Sequence, residues 1–578
     1  MKSLWSLNHY FLKYKWLLLL GILFVSLSTI FGTYQAVIVR KGTNTVLKYI
    51  AENNFSDTSI FITYGLTIIG LALTSGLFMF LMRQTIIVMS RHIEYDQKNE
   101  IYKHYQALDV TFYKKYSTGD LMNRITEDVS RVRMYTGPAV MYLANTFVTV
   151  ITVLIFMLNV NWQLTLMVFI PLPALSFIIY RVSDVLNKRS NKVQQELSNL
   201  TSHTQESFAS IRVIKAYAQE KFFTKSLDEK GGVYKKENLK LARIESYFQP
   251  TMGLMIGLSI LITIWYGGYL VMEKKIEAGN IPEFITYVYR LTWPFAALGW
   301  VTSLIQRAAA SQTRINEFLK TPSAIKNNNF NPTKIKGDIK FENVSFTYPE
   351  TGITALKNIS FHVKQGEVVG ITGPVGSGKS TLTQLLSRVY DTQQGEILID
   401  DANIKQLNLF DLRKATGVVP QEVFLYSDTI SNNISFASEK EFSKKEIAEA
   451  AKNAAVYDNI ESFPNKFETM VGERGITLSG GQKQRISIAR AIIKNPEILI
   501  FDDCLSAVDT ETESLILTNL RRLMQNKTSI IVSPRISSIR HADKILYLKN
   551  GEITESGTHQ ELLNLKGEYY SLFELQKN

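Results

Sequence analysis

The sequence predicts two joined parts: an α-helical polytopic membrane domain with six transmembrane helices and long cytosolic extensions, then a C-terminal α/β domain. Three observations support this. Long uncharged apolar runs recur in the first half of the chain, as in helices that cross a bilayer. From Gly337 onward, short β-type runs alternate with helical patterns. The chain of 578 residues is also too long for a single hydrophobic core.

Composition agrees with this division and excludes some classes of protein. A hydrophobic content of 46% and a mean hydropathy near zero average a membrane part and a soluble part. The single cysteine, Cys504, excludes internal disulfides, and we expect it to be a small buried residue. The net charge of +12 comes largely from Lys and Arg in the long loops beside apolar runs, which indicates membrane orientation rather than a nucleic-acid partner.

The predicted membrane domain covers residues 1–320. Residues 1–14 mix apolar and basic side chains, which is typical of an amphipathic elbow helix on the membrane surface. The predicted spans are 16–39, 58–82, 134–158, 162–180, 247–272 and 281–305. The connections after spans two and four are long and rich in Lys and Arg, so they and both termini are expected on the cytosolic side.

Two charged residues fall inside the sixth predicted span. Arg290 lies about eight residues, or ~12 Å, past the start of the span. An arginine at this depth is expected to face a substrate cavity or an acidic partner, and an inter-helix hydrogen bond without a substrate role is the alternative. Glu283 lies near the outer edge, where we expect it to be solvated. Pro294 is expected to open the helix hydrogen-bond ladder nearby.

The first chemical motif of the second part is a phosphate-binding loop, or P-loop. The apolar strand 368–372 leads into the loop, and helical sequence follows in 381–388. Glycines let backbone N–H groups surround phosphates, and the start of the helix adds a favourable dipole. Lys379 is expected to reach the β- and γ-phosphates and Ser380 to hold Mg²⁺. The predicted ATP-binding residues of this loop are Gly373, Pro374, Val375, Gly376, Ser377, Gly378, Lys379, Ser380 and Thr381.

A second motif follows about a hundred residues later, and it reads Leu478, Ser479, Gly480, Gly481, Gln482. Together with the P-loop, it resembles the ATP-binding cassette (ABC) ATPases. The resemblance covers the whole chain, because the preceding part looks like the membrane half of an ABC exporter. It implies that two ATPase domains form a head-to-tail sandwich. The signature of one chain, here residues 478–482, then closes over the ATP of the other.

The resemblance also assigns roles to individual residues. Asp502 ends an apolar strand, the Walker B pattern, and is assigned to Mg²⁺. Gln421 matches the Q-loop, which senses Mg²⁺ or water. Tyr348 lies where the family stacks an aromatic ring on adenine, with a plain core tyrosine as the alternative. Ser506 and Asp509 match the D-loop. Segments 112–121 and 206–216 resemble coupling helices that dock on the ATPase domains, the first mainly on the chain's own domain and the second on the partner's.

Two positions depart from the family pattern. Asp503 stands where the catalytic glutamate belongs, and Pro534 stands where the switch histidine belongs. The shorter carboxylate is set back by ~1.5 Å, a displacement that costs ~10²-fold in rate. Proline has neither an imidazole nor a backbone N–H, and His541 is too far along the chain to replace it. The sequence therefore predicts slow hydrolysis at this chain's own site, with neutral drift in an active enzyme as the alternative.

These features predict one subunit of a heterodimeric, ATP-driven exporter in a bacterial inner membrane. Its partner would be a second half-transporter with the consensus Glu and His and an altered signature. Substrates would be amphipathic small molecules, lipids or peptides, and membrane lipids would surround the spans. Residues 321–336 are the predicted linker and 337–578 the ATP-binding domain, in the cytosol. An importer on the same scaffold and an ATP-gated regulator or channel remain alternatives, which the adjacent gene would help to separate.

Overall fold

The structure is a computed structural model that describes residues 2–52, 59–438, 440–472, 475, 478–505 and 510–577. Its contacts divide the chain into two units. The first unit contains Met1–Tyr105 and Gly119–Thr321, and the second contains Gln106–Thr118 and Pro322–Asn578. The short segment 106–118 therefore groups with the C-terminal unit although the chain on both sides of it belongs to the membrane unit.

The described residues up to 319 are mostly helical. After a 3-10 turn at Lys2–Leu7, the helices are α1 (Asn8–Lys13), α2 (Lys15–Ala51), α3 (Ser59–Ala107), α4 (Val110–Lys115), α5 (Thr118–Asn123), α6 (Val129–Met134), α7 (Val140–Val160), α8 (Trp162–Phe169), α9 (Pro171–Ala209), α10 (Ile211–Ala216), α11 (Glu220–Met272) and α12 (Asn280–Leu319). Single π-helical turns at Arg124–Asp128 and Tyr135–Ala139 join α5, α6 and α7 into one rod. The predicted elbow is thus a 3-10 turn followed by a short helix, with Leu4, Leu7 and Tyr10 buried.

Within the described residues, four helical segments are long and apolar enough to cross a membrane: Lys15–Ala51, Ser59–Ala107, Thr118–Val160 and Glu220–Met272. They contain the predicted spans one, two, three and five. The other two predicted spans fall in α8–α9 and in α12, and the count of six stays a prediction. The helical character expected for the charged stretches after spans two and four is confirmed, because α3 and α9 continue through them.

Helices α2 and α12 pack antiparallel, and their polar contacts follow one register. The Gly279 backbone N–H donates to Asn44 Oδ1 at 2.7 Å. One turn of α2 earlier, Arg40 Nη1 lies 3.4 Å from Glu283 Oε2. Two turns farther along, the Arg290 guanidinium packs against Gly32, where an added Cβ would lie 2.7 Å from Nη2.

The expectation that Glu283 is solvated was wrong. Its side chain is 1% exposed and accepts hydrogen bonds from Asn280 Nδ2 at 2.8 Å and from Tyr287 OH at 2.9 Å, beside Arg40. A carboxylate that is surrounded in this way can be buried because its charge is both paired and hydrogen-bonded. No local pattern indicates this burial, since Arg40 is 243 residues away in the chain.

The C-terminal unit holds two sheets. The strands are β1 (Ile339–Thr347), β2 (Thr354–Val363), β3 (Val368–Thr372), β4 (Gln394–Ile399), β5 (Ala402–Asn403), β6 (Thr416–Val419), β7 (Ile498–Asp502), β8 (Thr528–Val532), β9 (Lys544–Lys549) and β10 (Glu552–Gly557). An antiparallel sheet has the order β2-β1-β4-β5, and the larger sheet has the order β10-β9-β3-β8-β7-β6. The larger sheet is parallel except for the β10 edge, as the alternating pattern predicted for an α/β domain.

Helices cover the larger sheet and fill its connections. They are α13 (Lys379–Leu386), α14 (Leu409–Ala415), α15 (Ile430–Ser435), α16 (Lys444–Asn453), α17 (Tyr457–Glu461), α18 (Gly480–Ile493), α19 (Thr510–Met524), α20 (Ile536–Ile539), α21 (His559–Leu565) and α22 (Glu568–Lys577). Strands β3, β7 and β8 are buried along almost their whole length, which explains their continuous runs of Ile, Leu and Val. Because these strands are parallel neighbours, the loops after them leave the same edge of the sheet.

Candidate functional site

The predicted P-loop lies between β3 and α13, at the carboxyl edge of the parallel sheet. Gly373 and Gly378 have positive φ angles of 141° and 100°. A Cβ would lie 2.0 Å from Leu548 O at Gly373 and 2.4 Å from Ala355 O at Gly378, so any larger residue would collide with backbone at either position. The two glycines are therefore needed for the turn itself. At Gly376 the added Cβ would meet nothing within 4 Å, which leaves space above the loop.

The Lys379 side chain curls back over the P-loop. Its ammonium donates hydrogen bonds to Gly373 O at 2.9 Å and Pro374 O at 2.8 Å. Burial lowers the pKa of Lys379, while the nearby Asp502 and Asp503 carboxylates oppose that shift. The cation is thus held in the concave side of the loop, where the phosphates of a nucleotide are expected.

Oxygen atoms suited to a divalent cation meet beside Lys379. Asp502 Oδ1 accepts from Ser380 Oγ at 3.1 Å, and Asp502 Oδ2 accepts from Thr383 Oγ1 at 3.1 Å. Burial raises the pKa of Asp502, and these two hydrogen bonds act in the opposite direction. A carboxylate and a hydroxyl are ligands that Mg²⁺ prefers, and Mg²⁺ commonly takes only one or two protein ligands beside nucleotide phosphates. The residues present therefore fit the predicted Mg²⁺ position.

Asp503 follows β7 in a left-handed backbone conformation, with a φ of 47°. Gln421 Nε2 lies 3.4 Å from Asp503 Oδ2, so the predicted Q-loop residue and the predicted catalytic position are neighbours. Burial raises the pKa of Asp503, and the charge of Asp502 adds to the shift. The adjacent Cys504 is buried, and its thiol pKa is raised chiefly by that burial, which agrees with a structural rather than a nucleophilic role.

Pro534 follows β8, beside β7, and its exposed ring borders the same cavity as Asp503. The loop is held from outside the site. Gln576 of α22 donates from Nε2 to Pro534 O at 2.7 Å and accepts from the Ile536 backbone N–H at 2.8 Å. His541 lies on a turn beyond α20. It is not among the described residues that line that cavity.

One cavity of about 470 Å³ brings together most of the residues predicted for this chain's own nucleotide site. They include Tyr348, Val375, Gly376, Ser377, Gly378, Lys379, Ser380, Thr381, Gln421, Asp502, Asp503 and Pro534. Residues from five separate stretches of the chain thus meet in one cleft.

Tyr348 stands at one end of this cavity. Its hydroxyl lies 2.9 Å from Thr381 Oγ1 and 3.2 Å from Gln384 Oε1, so the ring is anchored to the helix that follows the P-loop. Lys114 Nζ lies 4.9 Å from the centre of the Tyr348 ring and 4.0 Å from Glu350 Oε1. Lys114 belongs to α4, inside the first predicted coupling segment.

The signature residues form the start of α18, away from this cavity. Ser479 is the N-cap: its Oγ accepts from the Gln482 backbone N–H at 3.3 Å, and Gln482 Oε1 accepts from the Ser479 N–H at 3.0 Å. This capping box fixes the helix start, with Gly480 and Gly481 in its first turn. Leu478 is buried beneath it. The predicted D-loop residues Ser506 and Asp509 lie outside the described residues.

Comparison with known proteins agrees with both parts of the chain. Residues 18–295 match the ABC transporter transmembrane region, and residues 356–506 match the ABC transporter family. The multidrug resistance-like ATP-binding protein MdlA of Escherichia coli (strain K12) is 35% identical over 99% of this chain and 96% of its own length.

The chain belongs to the ABC transporter family.

Other relatives of this ABC transporter are similar over most of their length. The probable multidrug resistance ABC transporter YheI of Bacillus subtilis (strain 168) is 38% identical over 83% of this chain and 82% of its own. The ATP-dependent lipid A-core flippase of Haemophilus influenzae (strain 86-028NP) is 31% identical over 92% and 91%. A solved structure of a bacterial Atm1-family ABC exporter with ATP bound is 25% identical, with a TM-score of 0.79 over 99% of both chains. The predicted family and the prediction of an ATP-hydrolysing membrane transporter are therefore confirmed.

Sequence reasoning missed three residues whose contacts support the candidate site of this ABC transporter. Thr383 completes the hydrogen bonds to Asp502, and its place one helical turn after Ser380 could have indicated this. Lys114 and Gln576 come from distant parts of the chain, and no local signal connects them with Tyr348 or Pro534.

We expect Tyr348→Ala to weaken ATP binding to the purified chain, because the ring that would stack on the base is lost, a contribution of about 1–3 kcal/mol by analogy with aromatic–base stacking. Tyr348→Phe is the matched control, since it keeps the ring and removes only the hydroxyl bonded to Thr381. Titration with a fluorescent ATP analogue measures both affinities. Equal binding by the wild type and the Ala variant would show that Tyr348 is simply a core residue.

Proposed function

We propose that this ABC transporter is one subunit of a heterodimeric exporter with one weakly hydrolytic nucleotide site. The observation that carries the proposal is an asymmetry within one domain. The P-loop, Asp502 and the capped signature helix have the residues that ATP binding needs. By contrast, the two positions whose side chains would position and activate water are occupied by Asp503 and Pro534.

The geometry around Asp503 supports slow hydrolysis at the site of this chain. The carboxylate is one methylene shorter than glutamate and already lies near Gln421. Its backbone N–H donates to Val532 O at 2.8 Å, so the backbone is tied to β8 and is poorly placed to advance the side chain. A setback of about 1 Å for a water-positioning group is a loss of ~10²-fold. Pro534 adds a second loss, because it offers no side-chain donor to a γ-phosphate.

The same proposal gives each residue of this site a role. Tyr348 would stack on adenine, and the P-loop amides with Lys379 would bind the phosphates. Ser380, Asp502 and Gln421 would hold Mg²⁺, which supplies charge neutralisation to bound ATP. Asp502 is buried and Lys379 is half-buried, which keeps these charges in a region of reduced screening, so that nucleotide binding can be tight even when hydrolysis is slow.

The signature residues would serve the second nucleotide site, which is shared with the partner. The N-cap position of Ser479 places its hydroxyl and the first amides of α18 at a helix start, a geometry that favours a phosphate. The catalytic Glu, His and P-loop Lys of that site would come from a half-transporter with an altered signature. Hydrolysis there would drive the cycle.

Amphipathic small molecules, lipids or peptides are the proposed substrates, moved outward across a bacterial inner membrane. The membrane domain would extend to residue 320, the linker to residue 336 and the ATP-binding domain to the end, with both termini in the cytosol. The names of the relatives, which include multidrug resistance proteins and a lipid A-core flippase, support this class of substrate. So does the apolar composition of the predicted spans.

The purified chain alone is expected to bind ATP and hydrolyse it very slowly, because Asp503 and Pro534 serve its own site. Co-expression with the proposed partner, a neighbouring half-transporter with Glu and His in place, should restore turnover. Steady-state ATPase activity in detergent and in liposomes measures both states. Turnover by the lone chain at the common enzyme rate of ~1–10 per second or more would exclude the proposal.

Repair of the site should need both positions. We expect Asp503→Glu to raise hydrolysis at this site slightly, and Asp503→Glu with Pro534→His to raise it far more, since water positioning and γ-phosphate contact act together and are not additive. Single-turnover ATPase assays on the assembled pair, with the partner's P-loop lysine replaced, isolate this site. Full recovery by Asp503→Glu alone would show that Pro534 is immaterial.

Two substitutions distinguish the roles of the two nucleotide sites. Gly480→Glu places a charged side chain at the start of α18 against the partner's ATP. The transition state should lose several kcal/mol of stabilisation, so heterodimer turnover should fall by ~10²-fold or more. Lys379→Ala weakens only the slow site and should reduce turnover far less. ATPase and transport assays of both variants in the assembled pair give the comparison. A larger loss from Lys379→Ala would reverse the assignment of the two sites.

A further inference from the structure

Within the predicted spans, one cation has no anionic partner among the residues that the structure describes. The six predicted spans contain only two charged residues, Glu283 and Arg290. Glu283 is already occupied by Arg40, Asn280 and Tyr287. Arg290 lies seven residues farther along α12, about 10 Å away along the helix axis, which is beyond ion-pair distance. Among the residues that the structure describes, no hydrogen bond or ion pair reaches the Arg290 guanidinium.

The Arg290 side chain nevertheless packs closely against a neighbouring helix. Its half-buried side chain lies against α2 at Gly32, where an added Cβ would be 2.7 Å from Nη2 and 2.8 Å from Nη1. An alanine at Gly32 would therefore have to displace the end of the Arg290 side chain. Arg290 lies ten residues, or about 15 Å along the helix axis, from the start of α12. An arginine at such depth is costly without a counter-charge, and such residues commonly mark substrate paths.

We propose that Arg290, seated on Gly32, binds the anionic head group of an amphipathic substrate. The planar guanidinium matches a phosphate or carboxylate through two parallel hydrogen bonds. The surrounding spans are apolar, so the rest of the ligand would be a hydrocarbon or an aromatic body. This inference rests on the proposed export function and narrows its substrates to acidic amphiphiles.

The test uses binding rather than turnover. The full chain, purified in maltoside micelles without nucleotide, is titrated with dioctanoyl phosphatidic acid, dioctanoyl phosphatidylcholine or inorganic phosphate, and tryptophan fluorescence reports binding. Phosphatidic acid should bind about tenfold or more tightly than phosphatidylcholine, the scale of one hydrogen bond to a charged group. Arg290→Met should abolish this preference, and Arg290→Lys should retain part of it.

Matched variants separate the site from general effects. Gly32→Ala should weaken the preference, because the new Cβ displaces the guanidinium, whereas Gly70→Ala, which meets nothing within 4 Å, should leave it unchanged. Arg307→Met removes an exposed arginine from the same helix and should also leave it unchanged. ATP binding by each variant confirms that the chain is folded.

The contrary results are distinct. An unchanged preference in Arg290→Met and Gly32→Ala, or no preference in the wild type, would overturn the inference. Inorganic phosphate that binds as tightly as phosphatidic acid would overturn the amphipathic part of it. Rapid ATP hydrolysis by the lone chain would remove the heterodimer proposal but would not alter these binding measurements.

Discussion

The arrangement of the candidate nucleotide cavity depends on the parallel pairing of β3, β8 and β7. Ile371 pairs with Val532, and Asp502 pairs with the same Val532, so the ends of three strands meet at one point of the sheet edge. The P-loop, Asp503 and Pro534 begin immediately after those ends. A shift of one residue in either of the two pairings would move a site side chain to the other face of the sheet. The buried, β-branched character of the strands holds that register, and so the core of the domain sets the geometry of its chemistry.

Much of this could be predicted from the sequence, because the decisive signals are local. The P-loop needs particular glycines between a strand and a helix, and the collisions that a Cβ would meet at Gly373 and Gly378 explain why. The signature likewise predicts a helix start, since Ser479 and Gln482 have the spacing of a capping box. In both cases, the residues that form the turn or the helix start are close together in the chain and make up the motif itself.

The remaining features depend on contacts that the sequence does not encode locally. Glu283 was expected in solvent because its neighbours in the chain do not reveal Arg40, which approaches from α2. The depth of Arg290 in its span is visible in the sequence, but its contact with Gly32 depends on how α2 and α12 pack. Lys114 reaches the Tyr348 ring for the same kind of reason. Tertiary contacts between distant segments decide these positions, and periodicity or composition cannot supply them.

The register between α2 and α12 has a consequence for how the protein is made. Arg40 and Glu283 are separated by 243 residues, and the Gly279–Asn44 contact by 235. At a synthesis rate of about 5–20 residues per second, α2 would wait on the order of ten to fifty seconds before α12 exists. During that interval, the polar side chains of α2 must be satisfied by water or lipid head groups at the membrane surface. The first membrane helix is therefore among the last to reach its final packing, and the fold closes by joining the two ends of the membrane unit.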